Sequence, residues 1–157
     1  MEQEMFCYQC QETAGCKGCT KVGVCGKQAD TALDQDKLIL ATKRLSLAIV
    51  ENGNKEEDVK VVSTLVIDNL FKTITNANFD NAVIETAIAE TETLTSKLSG
   101  GKTLAPKAVP GVLSTSDENI RSIRELITYG LKGLAAYLKH AAVLGYSDNK
   151  INTFMLT

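Results

Sequence analysis

An all-α protein, with an N-terminal cysteine loop followed by helical bundles, is the fold class predicted by three features of the sequence. All five cysteines of the 157-residue chain lie between positions 7 and 25. Between Cys25 and Gly100 there is no proline, and the only glycines are Gly26 and Gly53. Over that stretch, and again after residue 116, apolar residues recur three and four positions apart, the period of a helix with one buried face.

The first helix is expected over 31–51. Leu38, Ala41, Leu45 and Ala48 follow one face, and Leu40 and Leu47 widen it. Thr31 and Asp34 form a capping-box pattern at its start, and Asn52-Gly53-Asn54 supplies the stop. A second helix, over 55–75, carries the stripe Val59, Val62, Val66, Leu70 and Ile74. Its β-branched residues would also suit a strand, but its length favours a helix. Glu56 and Glu57 at its start compensate the helix dipole. Asn78 or Asp80 caps a third helix, in which Ile84, Ile88 and Leu94 share a face and which closes before Gly100-Gly101. Three helices with short connections make an antiparallel bundle.

Pro106 and Pro110 mark a linker over 99–115, although Leu104, Val109, Val112 and Leu113 make it too apolar to float free. Thr115 and Glu118 then open the longest helical pattern. Ile120, Ile127, Leu134 and Ala141 stand at heptad spacing, with Ile123, Tyr137 and Leu144 beside them and Gly145 as the stop. Gly130, Gly133, Ala135 and Ala136 imply a closely packed neighbour, because a helical glycine costs roughly 1 kcal/mol against alanine. Ser147 or Asp148 begins a last turn with Ile151, Phe154 and Met155 as its apolar face. So short a helix is marginal alone. It either docks on the fold or starts a bundle that a partner or further chain completes. The expected organisation is therefore a cysteine loop over 1–28, a three-helix bundle over 29–98, the linker over 99–115, and a long helix with the start of a second bundle over 116–157.

Charge and composition narrow the function classes. Seventeen basic and nineteen acidic residues are interspersed, for a net charge of -2, so no basic stripe argues for nucleic acid as a partner. Met1 to Phe6 is polar and acidic, unlike a secretory signal, and no apolar run approaches the ~20 residues that span a bilayer. The expectation is a cytoplasmic protein with neither membrane nor nucleic acid as partner. In a reducing compartment a cysteine cluster more often holds metal than disulfides, and an odd count of five fits a disulfide framework badly.

The thiols allow more than one set of four ligands. Cys7, Cys10, Cys16 and Cys19 give C-x2-C-x5-C-x2-C, a twin knuckle that zinc accepts. Cys7, Cys10, Cys19 and Cys25 give the looser C-x2-C-x8-C-x5-C. Neither is a ferredoxin spacing. Gly15, Gly18, Gly23 and Gly26 let backbone N–H groups turn toward sulfur, and Lys17, Lys21 and Lys27 add positive charge. Both features favour thiolates. Spacing alone leaves zinc and iron–sulfur open, with free reactive surface thiols as the third reading. His140, the sole histidine, lies on the long helix without a convergent partner and is assigned no role. Tyr8 either shields the centre or packs beside it. No carboxylate pair, nucleophile–base arrangement or phosphate loop is evident, so no catalytic residue is expected.

"MFCYQCQETAGCKGCTKVGVCGK", Met5 to Lys27, resembles the opening of the hybrid-cluster proteins, also called prismane proteins or hydroxylamine reductases. The elements that match are Met5 to Cys10, Gly18-Cys19-Thr20 and Gly23 to Lys27. Gln35-Asp36 falls where that family has a Gln-Asp pair in its first helix, and Arg124 to Phe154 resembles its Thr-Tyr-Gly-Leu-Lys-Gly segment and the residues after it. The resemblance implies a [4Fe–4S] cluster on Cys7, Cys10, Cys19 and Cys25, and an N-terminal helical domain of two three-helix bundles. Cys16 is extra relative to that pattern. The family's hybrid cluster takes its ligands from later domains, which this chain lacks.

The resemblance thus implies an electron-transfer domain. It would take electrons from a donor protein and relay them to the hybrid cluster of an enzyme that reduces hydroxylamine or nitric oxide, and on its own it is expected not to turn over. The alternatives are a helical binding module in which zinc or a cluster only ties the loop down, and a thiol sensor of oxidants. Partners would be the electron donor, the remaining domains of a full-length enzyme, or a second copy of the chain, since a truncated bundle exposes apolar surface.

Overall fold

The computed structural model describes residues 5–52, 55–102 and 110–157. Those residues form five α-helices: α1 (Ala29–Asn52), α2 (Glu56–Lys72), α3 (Asn81–Ser99), α4 (Glu118–Val143) and α5 (Asn149–Phe154). The fold is all-α, as predicted. Gly53-Asn54 and the central part of the linker, with Leu104, Pro106 and Val109, lie outside the described residues.

α1 packs against both α2 and α3, and α2 also contacts α3. Leu38 of α1 meets Ile84 and Ala87 of α3, while Leu45 and Ile49 meet Val62, Val66 and Leu70 of α2. Leu38 and Leu45 are fully buried, each contributing roughly 1.5–3 kcal/mol by leaving water. A polar knot ties the same three helices together. The fully buried Asn69 amide donates to the hydroxyls of Thr42 at 3.2 Å and Thr91 at 2.8 Å, and those hydroxyls donate back to the Leu38 and Ala87 carbonyls. Directional bonds inside an apolar core set the register of the helices as well as their proximity.

Helix ends follow local chemistry, with two corrections. α1 begins at Ala29, two residues earlier than expected, so Thr31 lies inside the helix and does not cap it. Its hydroxyl instead donates to Asn81 at the start of α3 at 2.6 Å, and Asp34 pairs with Lys37 at 2.7 Å. The cap of α4 is Asp117, whose carboxylate accepts from the Asn119 and Ile120 N–H groups, while Thr115 accepts from the Arg124 guanidinium. A carboxylate outcompetes a hydroxyl for these donors because it is charged. Asp80 caps α3 by accepting from Val83 N–H, and Gly100 closes it with φ +61. Asp80→Ala is expected to cost about 1 kcal/mol, read as a lower urea midpoint with an unchanged slope.

α4 runs antiparallel to α2: Lys139 pairs with Asp68 at 2.7 Å, and Lys132 donates to the Thr73 carbonyl at 2.8 Å. Leu131, Leu134, Ala135 and Leu138 form its packed side. Two heptad positions, Ile120 and Ile127, are exposed together with Ile123. The reason is length: α2 ends at Lys72, so the first turns of α4 run past it. The close neighbour expected at Gly130 and Gly133 is missing too, since a Cβ at either would meet nothing within 4 Å among the described residues.

α5 docks on α2, capped by Asp148, and carries Met155 and Leu156 into the core beside Ala135. Ile151 and Phe154 remain exposed. Among the described residues no helix is long and apolar enough to cross a membrane.

Candidate metal centre

The cysteine loop folds back on itself through one backbone pairing. Cys7 N–H donates to the Cys19 carbonyl at 3.0 Å, and Cys19 N–H donates to the Cys7 carbonyl at 2.9 Å, an isolated antiparallel bridge. Residues that exchange both bonds face each other with their side chains on one side. The bridge therefore brings together two thiols twelve positions apart. Gly18 makes the return possible. Its φ is +116, and a Cβ there would stand 2.5 Å from the Phe6 ring, so both conformation and space demand glycine. Met5 and Cys19 are buried against Ala32 of α1, fastening the loop to the bundle.

Cys19 is the best-supported sulfur. It is buried, with Ala14 N–H donating to it at 3.5 Å and the Thr13 hydroxyl 3.8 Å away. These surroundings lower its pKa: the Ala14 and Val24 amides act most strongly, Thr13 and the charge of Lys27 add to them, and burial opposes. Cys7 has the Lys27 ammonium 4.0 Å from its sulfur. Lys27 is itself buried, 2% exposed, and its second bond goes to the Gln35 amide oxygen at 2.7 Å. Gln35 in turn donates to the Asn78 carbonyl at 2.8 Å. The buried ammonium, held by a neutral amide, places a positive charge beside the Cys7 sulfur. Of the three lysines read as local charge, Lys27 does this alone, because Lys17 and Lys21 are exposed.

The other thiols sit at the margin. Cys25 is exposed, and a Cβ at Gly23 would stand 3.0 Å from its sulfur, so glycine at 23 keeps that space open. Cys10 is half-buried, and its carbonyl accepts from Thr13 N–H at 3.2 Å. Cys16 is exposed in the turn Ala14–Cys16 with φ +55, and its carbonyl accepts from the Tyr8 hydroxyl at 3.0 Å. Tyr8 stacks on Phe6. It packs, and it also ties the two limbs of the loop together.

Among the described residues no three Cys, His, Asp or Glu side chains converge closely enough to hold a metal ion. The donor set nonetheless suits a thiophilic centre in its chemistry: thiols in one loop, amides aimed at sulfur, a buried cation at Cys7 and open space at Cys25. His140 is exposed, edge-on to Phe71 at 6.0 Å, and takes no part.

Sequence reasoning missed a second group beside the loop. Asp36, two residues beyond Asp34 on α1, and Lys132 of α4 line one cleft with Gln9, the residue before Cys10. Burial pushes the Asp36 carboxyl up to about 6, against the pull of Lys132. Burial pushes the Lys132 ammonium down to about 8, and the like charge of Lys27 adds to this. Lys132 could have been flagged as a cation between apolar positions on the packed side of α4.

The matching family model is described as the Prismane/CO dehydrogenase family and covers residues 5–157. The chain belongs to this family. It is 45% identical to a hydroxylamine reductase of Clostridium perfringens, with 96% of the chain aligned. It is 43% identical to the hydroxylamine reductase of Desulfovibrio desulfuricans over 99% of the chain, and 38% identical to one from Porphyromonas gingivalis over 98%. The chain spans about a third of the length of these relatives, 32% in each case. As a Prismane-family segment it carries the cysteine loop and helical bundle that its sequence predicted.

Proposed function

We propose that this chain is the electron-transfer segment of a hydroxylamine reductase, in which Cys7, Cys10, Cys19 and Cys25 hold a [4Fe–4S] cluster. The observation that carries the proposal is the thiolate cradle at Cys19, two backbone amides and a hydroxyl around one buried sulfur, joined by the Cys7–Cys19 bridge to a second sulfur beside Lys27. Membership of a family whose relatives are named hydroxylamine reductases supports the substrate class. Such a cluster, when bound, supplies one-electron chemistry.

The chain's own residues set the conditions for it. Amides of Ala14 and Val24 and the charge of Lys27 stabilise the negative charge that thiolates bring. Met5 and Ala32 keep water from the Cys19 side. Gln35 holds Lys27 in place, which assigns a positioning role to the first helix. The segment relays electrons from a donor protein toward the remainder of a longer enzyme, where the hybrid cluster resides, in the cytoplasm.

Anaerobic purification with iron and zinc analysis, and EPR of the reduced sample, tests this. Roughly four irons per chain and a reducible signal are expected. One zinc and no iron would replace the relay with a purely structural metal.

A further inference from the structure

Between α1 and α4 lies a half-open cleft of about 390 Å³, within the size range of small-molecule sites. Lys43 and Arg44 reach it from α1, and Arg121, Arg124 and Lys132 from α4, against the acids Asp36 and Glu125. None of these seven groups is in an ion pair, since the only ion pairs among the described residues are Lys37–Asp34 and Lys139–Asp68. Among the described residues Arg124 is bonded only to a threonine hydroxyl and Lys132 only to the Thr73 carbonyl. Nε of Arg44 is buried with no acceptor among the described residues.

A guanidinium donor out of water and without an acceptor is costly, and proteins leave few such groups unexplained. Five positive groups and two acids line this one concavity without an ion pair, and a bound anion supplies the acceptor that Arg44 Nε lacks. Ile39, Leu40, Val112 and Leu131 supply apolar wall between the charges, room for a carbon skeleton as well as an acidic group.

We infer that the cleft between α1 and α4 is a binding site for a small organic anion carrying carboxylate or phosphate groups, held by Arg44 and Arg121 with Lys43 and Arg124 at its rim. The cleft borders the cysteine loop at Gln9, and none of the groups that would hold the anion is a cysteine. Asp36 faces the same space and opposes the anion.

The test titrates the full chain, purified anaerobically, with succinate, inorganic phosphate and sodium chloride at matched ionic strength, by calorimetry and by NMR of the arginine Nε–H signals. Saturable one-to-one binding of succinate or phosphate is expected, with the largest shifts at Arg44 and Arg121. Arg121→Gln and Arg44→Met should each weaken it by about tenfold, the loss of one charge-assisted hydrogen bond, and Asp36→Asn should tighten it. Succinate binding without phosphate assigns the site to carboxylates, and the reverse assigns it to phosphates. Shifts that grow linearly, that chloride reproduces, or that survive the Arg44→Met and Arg121→Gln double variant in a chain with unchanged helical circular dichroism would overturn the inference.

Discussion

Cys19→Ser is expected to abolish iron binding, whereas Cys16→Ser should load to the wild-type level. The two thiols are only three positions apart, so sequence spacing alone lets them exchange roles. Their surroundings differ. Cys19 is buried, paired through its backbone with Cys7, and its sulfur receives amides that lower its pKa. Cys16 is exposed on a turn in the left-handed region, and its sulfur makes no hydrogen bond among the described residues. A serine at 19 keeps the size of the side chain but offers a hydroxyl that does not ionise near neutral pH, so the amides of Ala14 and Val24 have no anion to stabilise. Iron per chain and the absorption of the anaerobic protein measure both variants. Retained iron in Cys19→Ser with loss in Cys16→Ser would put Cys16 in place of Cys19 in the ligand set, whereas loss in both variants would fit the twin-knuckle pattern. Cys7→Ser should resemble Cys19→Ser, because the bridge makes the two sulfurs neighbours.

How much of this was legible in the sequence depends on the range of the interaction that decides it. Helix positions and the Asp80, Gly100, Asp148 and Gly145 signals are local, and they were readable from spacing and cap chemistry. The start of α1 was not, because Thr31 bonds to Asn81, fifty residues away, and no local pattern reveals that. The buried side of α4 was misjudged for a similar reason: a heptad stripe marks an apolar face, but where α2 stops decides which part of it is covered. In the loop, cysteine spacing pointed to a thiol centre, yet it could not rank Cys16 against Cys19. The ranking comes from Thr13, Ala14 and Val24, which are unremarkable as letters and matter only because the chain reverses at Gly18. Lys27 was read as one of three positive charges near the thiols; its burial is a property of α1 and Phe79 closing over it.

Asp36→Asn should stabilise the protein at neutral pH by up to about 3 kcal/mol, the worth of a carboxyl whose pKa rises from 3.8 to about 6 on folding. The cause is burial beside Lys132 without a direct ion pair: the attraction falls short of the hydration lost. Because the folded pKa lies above the unfolded one, the folded state binds the proton more tightly between those values. Stability therefore falls as pH rises from about 4 to about 6, and the penalty is complete above that window. Asparagine is uncharged throughout and removes this slope. Urea unfolding at a series of pH values, at constant metal content, should show the two proteins nearly equal below pH 4 and diverging above it, with the variant more stable. Lys132 supplies an internal control. Its pKa is lowered to about 8, so its own contribution lies between there and 10.5, where stability should rise with pH. Parallel curves from pH 4 to 7 would mean that Asp36 keeps its water in the folded chain. In that case it would also stay ionised at the wall of the basic cleft, and Asp36→Asn would tighten anion binding by removing a full charge at every pH above 5. Divergence between 4 and 6 predicts instead that the tightening appears only above pH 6, where the wild-type carboxylate is charged.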